Sequence, residues 1–159
     1  MIKYILPSIL ALTVTSIGHT TPIAAVHASA YDETNGHKPD NAIDGNVGTR
    51  WAAQGKETWI TLELAKNEKV TNVALVPFRE TERSLKFSLY LSKDNKKWEK
   101  VGQDLMTNKA DKAGEKFSFP ATTARYIKLV TNGTDVNNWS AINEIMINSD
   151  KDLPSTTVK

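Results

Sequence analysis

Short segments in which apolar and polar residues alternate, separated by polar turns, restrict the fold of this chain most strongly. In residues 59–64 every second side chain is aliphatic, and residues 85–92 repeat the pattern. Residues 70–78 are more continuously apolar, as expected of a strand with both faces covered. Helical periodicity never lasts longer than a turn or two. About seven or eight short strands of this kind predict an all-β fold, an antiparallel β-sandwich or jelly roll.

Polar residues and proline predict where these strands end. Residues 67–69 are expected to turn the chain between two strands. A strand that starts at Glu115 is expected to end at Pro120, because proline lacks the backbone N–H that a central strand uses. Residues 132–140 are polar and predict a long loop that contains Trp139. The sequence thus predicts many short strands and no long one.

The first thirty residues are predicted to be a cleaved signal peptide outside the fold. Lys3 supplies one positive charge, residues 4–17 are mostly apolar, and the small-x-small pattern of residues 28–30 suits a signal peptidase. Cleavage after Ala25 is the second choice. The apolar run is short and contains Ser and Thr, which favours cleavage over membrane anchoring. We therefore expect a secreted or periplasmic protein with one domain at 31–148 and a flexible C-terminal tail at 149–159.

Composition excludes several classes of function. The chain contains no cysteine, so disulfides, thiolate metal sites and a cysteine nucleophile are ruled out. Only Lys3 among the charged residues lies in the first thirty, so removing them lowers the formal net charge from +2 to +1. A nearly neutral chain gives no indication of nucleic acid or a membrane surface as partner. Glycine-rich nucleotide-binding loops are absent.

The run from Asn41 to Trp51 is the densest cluster of polar residues. Gly45 favours a positive φ and Asp44 favours a local side-chain turn, so the run is neither helix nor strand. Its carboxylate and carbonyl oxygens can turn inward around a cation, which we interpret as a calcium loop at the base of a sandwich. The alternative is an ordinary turn that binds no metal.

Several motifs, taken in order, resemble the discoidin or coagulation-factor type C (F5/8 type C) domain, and most closely its bacterial branch, the family 32 carbohydrate-binding modules. They span about residues 31–147. The motifs are Ala42-Ile-Asp-Gly-Asn46 with Thr49-Arg-Trp51, Trp59-Ile-Thr-Leu-Glu-Leu64, Lys86-Phe-Ser-Leu-Tyr-Leu-Ser92 with Trp98, Pro120-Ala-Thr-Thr-Ala-Arg-Tyr-Ile-Lys-Leu129, Asn138-Trp139 and Ile142-Asn-Glu-Ile145. The resemblance implies a galactose-binding-domain-like jelly roll with a structural Ca²⁺ ion. The residues that it implies for calcium are Asn41, Asp44, Asn46, Thr49, Asn143 and Glu144.

The resemblance also implies that loops at one end of the sandwich bind sugar through an aromatic platform and charged side chains. Arg79 follows a predicted strand, where the family places an arginine that contacts sugar. The candidate ligand-binding residues are Arg79, Glu82, Arg83, Lys86, Asn138 and Trp139. Two alternatives stay open: residues 79–83 form a solvated hairpin tip whose charges neutralise one another, and Trp139 caps the core.

Many galactose-binding members of that family carry a histidine after the first-loop tryptophan, where this chain has Ala52. A grouping of Arg79, Arg83 and Lys86 near one end favours an acidic polysaccharide or a cell-surface glycan instead. His37 is the one histidine after residue 30 and no G-x-S-x-G motif occurs, so we expect no enzyme activity. We expect a non-catalytic carbohydrate-binding module that acts alone or with a partner enzyme. The alternative is an adhesion or protein-interaction domain with no glycan ligand, and polar loop tips argue against membrane insertion.

Overall fold

The computed structural model describes residues 20–109 and 114–159, and nearly all of their regular structure is β-strand. A single 3-10 turn, Pro39–Ala42, precedes the second strand. Among the residues described, no helix is long and apolar enough to cross a membrane. The strands are β1 (Ile23–Ala28), β2 (Trp51–Gln54), β3 (Thr58–Pro77), β4 (Leu85–Ser92), β5 (Glu99–Met106), β6 (Glu115–Thr134), β7 (Trp139–Ile147) and β8 (Ser155–Thr157).

Two long strands, β3 and β6, build both layers of the molecule. They pair with each other on either side of a register shift that falls between Glu63 and Glu68 of β3. The first half of β3 and the second half of β6 join β1, β4 and β5 in the first sheet. The other halves join β2, β7 and β8 in the second sheet. Every pair is antiparallel except β6 with β8, and the predicted antiparallel β-sandwich is confirmed.

The core lies between the two sheets and follows the alternation in the sequence. Ile60, Leu62 and Leu64 are fully buried, as period-2 patterning requires. Phe87 of the first sheet packs edge to face on Phe117 of the second, with ring centroids 4.9 Å apart. Burial of each such side chain stabilises the fold by roughly 1.5–3 kcal/mol.

Two predicted strand ends are wrong, because the strands bend where they were expected to stop. Residues 67–69 lie inside β3, at the register shift, and do not form a turn. Pro120 lies inside β6, within a second irregularity opposite Val70 and Asn72. A proline is tolerated at this point because a bulge leaves its nitrogen outside the ladder of hydrogen bonds. The predicted loop at 132–140 is correspondingly shorter, since β6 runs to Thr134.

The domain boundaries expected at residues 31 and 148 are also corrected. Residues 23–28 form β1, which pairs with β3, so cleavage after Ala30 would remove a strand of the first sheet. The expected flexible tail at 149–159 instead packs on the second sheet: Leu153 contacts a small apolar cluster on its outer face, and Val158 is buried. The rest of the predicted signal peptide, residues 1–19, lies outside the described residues, and its cleavage stays a prediction.

Candidate functional site

The loop after the 3-10 turn gathers oxygen atoms around the hydroxyl of Thr49. This hydroxyl lies 2.7 Å from Asp44 Oδ2, 2.8 Å from the carbonyl oxygen of Asn46 and 3.5 Å from that of Asn41. One hydroxyl carries one hydrogen, so it can donate to only one of these three acceptors at a time. The surplus of acceptors at one point is the arrangement that a hard cation satisfies. We call these residues, with Asn143 and Glu144, the oxygen cluster.

β7 completes the oxygen cluster from the other end of the chain. The backbone N–H of Gly45 donates to Glu144 Oε2 at 3.0 Å, and the Asn143 amide donates to the Val47 carbonyl at 2.8 Å. Asn143 Oδ1 is buried and has no hydrogen-bond partner within the described part of the chain. The structure therefore brings together all six residues that the resemblance implies for calcium.

Burial raises the pKa of the Glu144 carboxyl to about 7, and the negative charge of Asp44 raises it as well. The Gly45 N–H and the charge of Lys151 oppose this shift. Across residues 20–109 and 114–159, no group of three or more His, Cys, Asp or Glu side chains forms a metal site. A cation at the oxygen cluster would thus take most of its ligands from carbonyl and hydroxyl oxygens, a set that suits Ca²⁺ better than Zn²⁺.

A pocket of about 290 Å³ opens beside this loop, and we call it the end pocket. Segments far apart in sequence form it: the residues around β2, the end of β3, the start of β4 and the start of β7. Its lining residues are Asp32, Asn35, His37, Arg50, Ala52, Pro77, Phe78, Arg83, Leu85, Thr134, Asn137, Trp139 and Ala141. Ala52 is one of them, so the position that departs from the galactose-binding pattern leaves room in this pocket.

Arginines surround the ring of Phe78. The guanidinium carbon of Arg50 lies 4.0 Å from the ring centroid, that of Arg79 5.5 Å and that of Arg83 6.0 Å. Burial lowers the pKa of Arg50, as does the charge of Arg79, but a guanidinium stays charged at neutral pH. Arg83 Nε is buried and has no hydrogen-bond partner among the described residues. The end pocket therefore offers cationic donors beside an aromatic ring.

Two further side chains set the polarity of the end pocket. Burial lowers the pKa of His37 and the charge of Arg50 lowers it further, while Asp32 opposes the shift, so the neutral imidazole is favoured. The side chain of Asn35 donates to Asp32 at 2.8 Å, and this hydrogen bond lowers the pKa of the Asp32 carboxyl. A neutral imidazole and a fixed carboxylate suit the recognition of hydroxyl groups.

The structure separates the six residues that were expected to bind ligand. Arg83 and Trp139 line the end pocket. Arg79 is exposed and forms an ion pair with Glu82 at 3.3 Å, as the alternative of mutually neutralised charges predicts for these two. Asn138 Oδ1 accepts from Gln54 at 3.4 Å.

Lys86 does not belong to the arginine group. It lines a different cavity, together with Met106 and Asn132, so the expected grouping of Arg79, Arg83 and Lys86 is wrong for the lysine. The expectation of a fully solvated hairpin tip also fails at Glu80, which is buried. Alternation explains the position of Lys86, because it points away from the core that its neighbours Leu85 and Phe87 enter.

Sequence reasoning missed Arg50, Phe78 and His37 as parts of the pocket. Arg50 directly precedes the buried Trp51, and Phe78 directly precedes Arg79 at the end of an apolar strand. An aromatic residue at a strand end next to arginine was the available signal. No feature of the sequence indicated that His37 lies in the same pocket as Arg50 and Phe78. Its position there depends on the path of the loop before β2.

Comparison with known proteins identifies the protein family of this chain. The F5/8 type C domain model matches residues 25–145, and the chain belongs to this family. The resemblance inferred from the motifs is thereby confirmed. A search of curated protein sequences returns no match.

Solved structures narrow the class to carbohydrate-binding modules. A pectin-binding carbohydrate-binding module is 55% identical, with a TM-score of 0.85 over 88% of this chain and 100% of that one. The family 32 module (CBM32) of AlyQ, in complex with 4,5-unsaturated mannuronic acid, is 36% identical, with a TM-score of 0.76 over 81% of this chain and 97% of that one. A truncated AlyQ that has CBM32 and alginate lyase domains is 35% identical, with a TM-score of 0.77 over 88% of this chain and 36% of that one. This chain has the fold of a carbohydrate-binding module.

Proposed function

We propose that this domain is a non-catalytic carbohydrate-binding module that binds an acidic sugar residue of a polysaccharide in the end pocket. One observation carries the proposal: Arg50 and Arg83 stand over the ring of Phe78 in a pocket that Trp139 also lines. A sugar carboxylate accepts two parallel hydrogen bonds from a guanidinium, and its negative charge matches the arginines.

The remaining lining residues suit the rest of a sugar. The face of Trp139 can pack on the apolar face of a pyranose ring, while His37 and Asn137 can exchange hydrogen bonds with its hydroxyls. A pocket of about 290 Å³ lies at the small end of the range for ligand sites, which favours a single sugar residue over a long segment. The similar structures support the acidic class, because one binds pectin and one was solved with a uronic acid.

A binding role fits the pocket better than a hydrolytic one. Among the described residues that line it, Asp32 alone carries a carboxylate. Glycoside hydrolysis commonly uses two carboxyl groups on either side of the scissile bond. The arginines and aromatic rings supply orientation and affinity.

The proposal includes a structural Ca²⁺ ion held by Asn41, Asp44, Asn46, Thr49, Asn143 and Glu144. When bound, the ion would neutralise the facing carboxylates of Asp44 and Glu144 and hold the loop against β7. Asn41 also donates from its side chain to the carbonyl oxygen of Arg50 at 3.0 Å, so the loop that the ion would hold positions an arginine of the pocket.

Secretion or export to the periplasm remains part of the proposal, on the strength of the N-terminal sequence. A partner enzyme is proposed by analogy with AlyQ, in which a similar module accompanies an alginate lyase domain.

Titration calorimetry with polygalacturonate, alginate and a neutral galactan tests the function. We expect heat of binding with at least one acidic polymer and none with the galactan. Equal binding to the neutral polymer would overturn the acidic specificity. Silence with every glycan would overturn the proposal and favour the protein-interaction alternative.

A further inference from the structure

The outer face of the first sheet carries a row of aromatic and cationic residues that the end pocket does not use. Pairing in register aligns His27 of β1, Thr61 of β3, Lys128 of β6, Tyr90 of β4 and Lys100 of β5 across the sheet. Side chains of directly paired residues project from the same face. One continuous row therefore crosses all five strands of the first sheet.

Lys128 lies at the centre of this face between two tryptophans. Its ammonium is 3.8 Å from the ring centroid of Trp98 and 5.4 Å from that of Trp59. Burial lowers the pKa of Lys128, because the rings remove water from the ammonium. In the part of the chain that the structure describes, no carboxylate lies within ion-pair distance of Lys128. The face thus holds a partly desolvated cation without an ion-pair partner.

A cavity of about 520 Å³ beside Lys128 contains a polar atom that lacks a partner. Thr61 lines its floor, is 4% exposed, and its hydroxyl has no hydrogen-bond partner among the described residues. Buried hydroxyls are nearly always hydrogen-bonded, so this one leaves a hydrogen-bonding group unused beneath the cavity. Leu153 packs on the outer face of the second sheet. On the outer face of the first sheet, the segment before β5 reaches the cavity, because Asn95 lines it and Trp98 contacts Lys128.

A second aromatic and cationic pair lies further along β6. The guanidinium of Arg125 is 5.6 Å from the ring centroid of Tyr126 and 2.7 Å from Glu63, which accepts from both residues. Tyr126 lies two residues from Lys128, about 7 Å along the strand. The turn between β4 and β5 adds Lys93, Lys96 and Lys97 against Asp94, and β5 begins with Glu99. Glu63, which also lines the cavity, neutralises Arg125, so the excess of positive charge on this side comes from the lysines.

We propose that this outer face is a second binding surface, for an extended chain of acidic sugars, separate from the end pocket. Sugar rings pack against the parts of Trp59 and Trp98 that Lys128 leaves open, and a carboxylate pairs with Lys128. The acidic class of the ligand rests on the proposed function, while the location rests on the contacts of this face. A chain that occupies both sites binds more tightly than a short oligomer, because the second contact is intramolecular.

The indole N–H signals of the tryptophans test the proposal in ¹⁵N-labelled protein. Trp59 and Trp98 report on the outer face, Trp139 on the end pocket, and Trp51 is an internal reference since its indole donates to Ala30. We expect polygalacturonate fragments to shift the signals of Trp59 and Trp98, and to do so also in Arg83→Ala. Shifts at Trp139 alone would overturn the second surface and leave the proposed function standing. Shifts at Trp59 and Trp98 alone would overturn the end pocket as a binding site. If the signals of Trp59, Trp98 and Trp139 all stay unchanged, both the second surface and the end pocket are overturned.

A matched pair of lysine variants separates a built site from general attraction. Lys128→Gln is expected to weaken binding of long polygalacturonate at least fivefold and to leave short galacturonate oligomers unaffected. Lys96→Gln removes the same charge from the neighbouring turn, where the side chain is exposed, and is expected to cost about twofold at most. Equal losses in the two variants would overturn the surface as a specific site.

Discussion

Thr49 and Arg50 are neighbours in the chain, yet they belong to sites of opposite charge. Thr49 contributes to the oxygen cluster, where Asp44 and Glu144 face each other and the Glu144 carboxyl has a raised pKa. Arg50 contributes to the end pocket, where the guanidinium groups share one aromatic ring. The first site is suited to a cation and the second to an anion.

One loop contributes side chains to both the oxygen cluster and the end pocket. The side-chain amide of Asn41 donates to the carbonyl of Arg50, while its own carbonyl faces Thr49. A change in the oxygen cluster is therefore passed to the pocket through backbone contacts. Four experiments separate the two sites, beginning with the largest expected effect.

Chelation of calcium is expected to destabilise the domain. A ligand that binds only the folded state at about 100 times its dissociation constant stabilises it by about 2.7 kcal/mol. For a chain of this size that corresponds to a fall in Tm of roughly 5–10 °C on adding chelator, measured by calorimetry. Asp44→Asn should have the low Tm already and show no response to chelator. An unchanged Tm in the unmodified protein would contradict the calcium site.

Arg83→Ala is expected to weaken binding of an acidic oligosaccharide in the end pocket. Loss of a hydrogen bond to a charged group costs about 1.5–3 kcal/mol, which is about 10- to 100-fold in affinity. Titration calorimetry measures the loss, and Tm should change little because Arg83 Nε has no partner within the described residues. Arg83→Lys keeps the charge and loses the planar fork, so an intermediate affinity is expected. Full affinity in Arg83→Ala would remove this pocket as the site.

The metal-free domain should lose stability as the pH rises. Folding raises the pKa of Glu144 from 4.5 to about 7, so the folded state binds this proton more tightly than the unfolded state. The contribution of this proton to the free energy of unfolding is fully present below about pH 4.5. It decreases as the pH rises and is lost once the pH has passed about 7. With allowance for solvent screening it amounts to about 1 kcal/mol, or roughly 3 °C in Tm. In the presence of chelator, Tm measured against pH for Glu144→Gln and for the unmodified protein should differ by this contribution. Identical Tm profiles of the two proteins would contradict the prediction.

Arg79→Ala is expected to have the smallest effect on glycan binding. The side chain is 52% exposed and pairs with Glu82, and exposed ion pairs contribute about 0–1 kcal/mol. We expect less than about a fivefold change in affinity, measured beside Arg83→Ala in the same assay. A larger loss than in Arg83→Ala would place the sugar outside the end pocket, at the tip of the 79–83 loop.

Much of the fold was predictable because strand patterning is local. Every second residue of a half-buried strand enters the core, so Ile60, Leu62 and Leu64 could be assigned to it from their spacing alone. The bends of β3 and β6 could not, because polar residues at a register shift look the same in sequence as those in a turn. Packing of residues 149–159 was missed for a similar reason: Leu153 and Val158 are isolated apolar residues in a polar segment.

The sequence by itself determined the sandwich and the family, because these depend on short-range patterns and motif order, and the resemblance to that family implied the six residues that lie together in the oxygen cluster. Only the tertiary structure decided which charged side chains meet. Arg50, Phe78, Arg83 and Trp139 come from four segments, and the pairing of distant strands brings them to one pocket while it directs Lys86 elsewhere. The same pairing places Trp59 and Lys128 on one face of the first sheet. Alternation within a strand decides which face a side chain occupies, but it does not decide which distant strands become neighbours in the sheet.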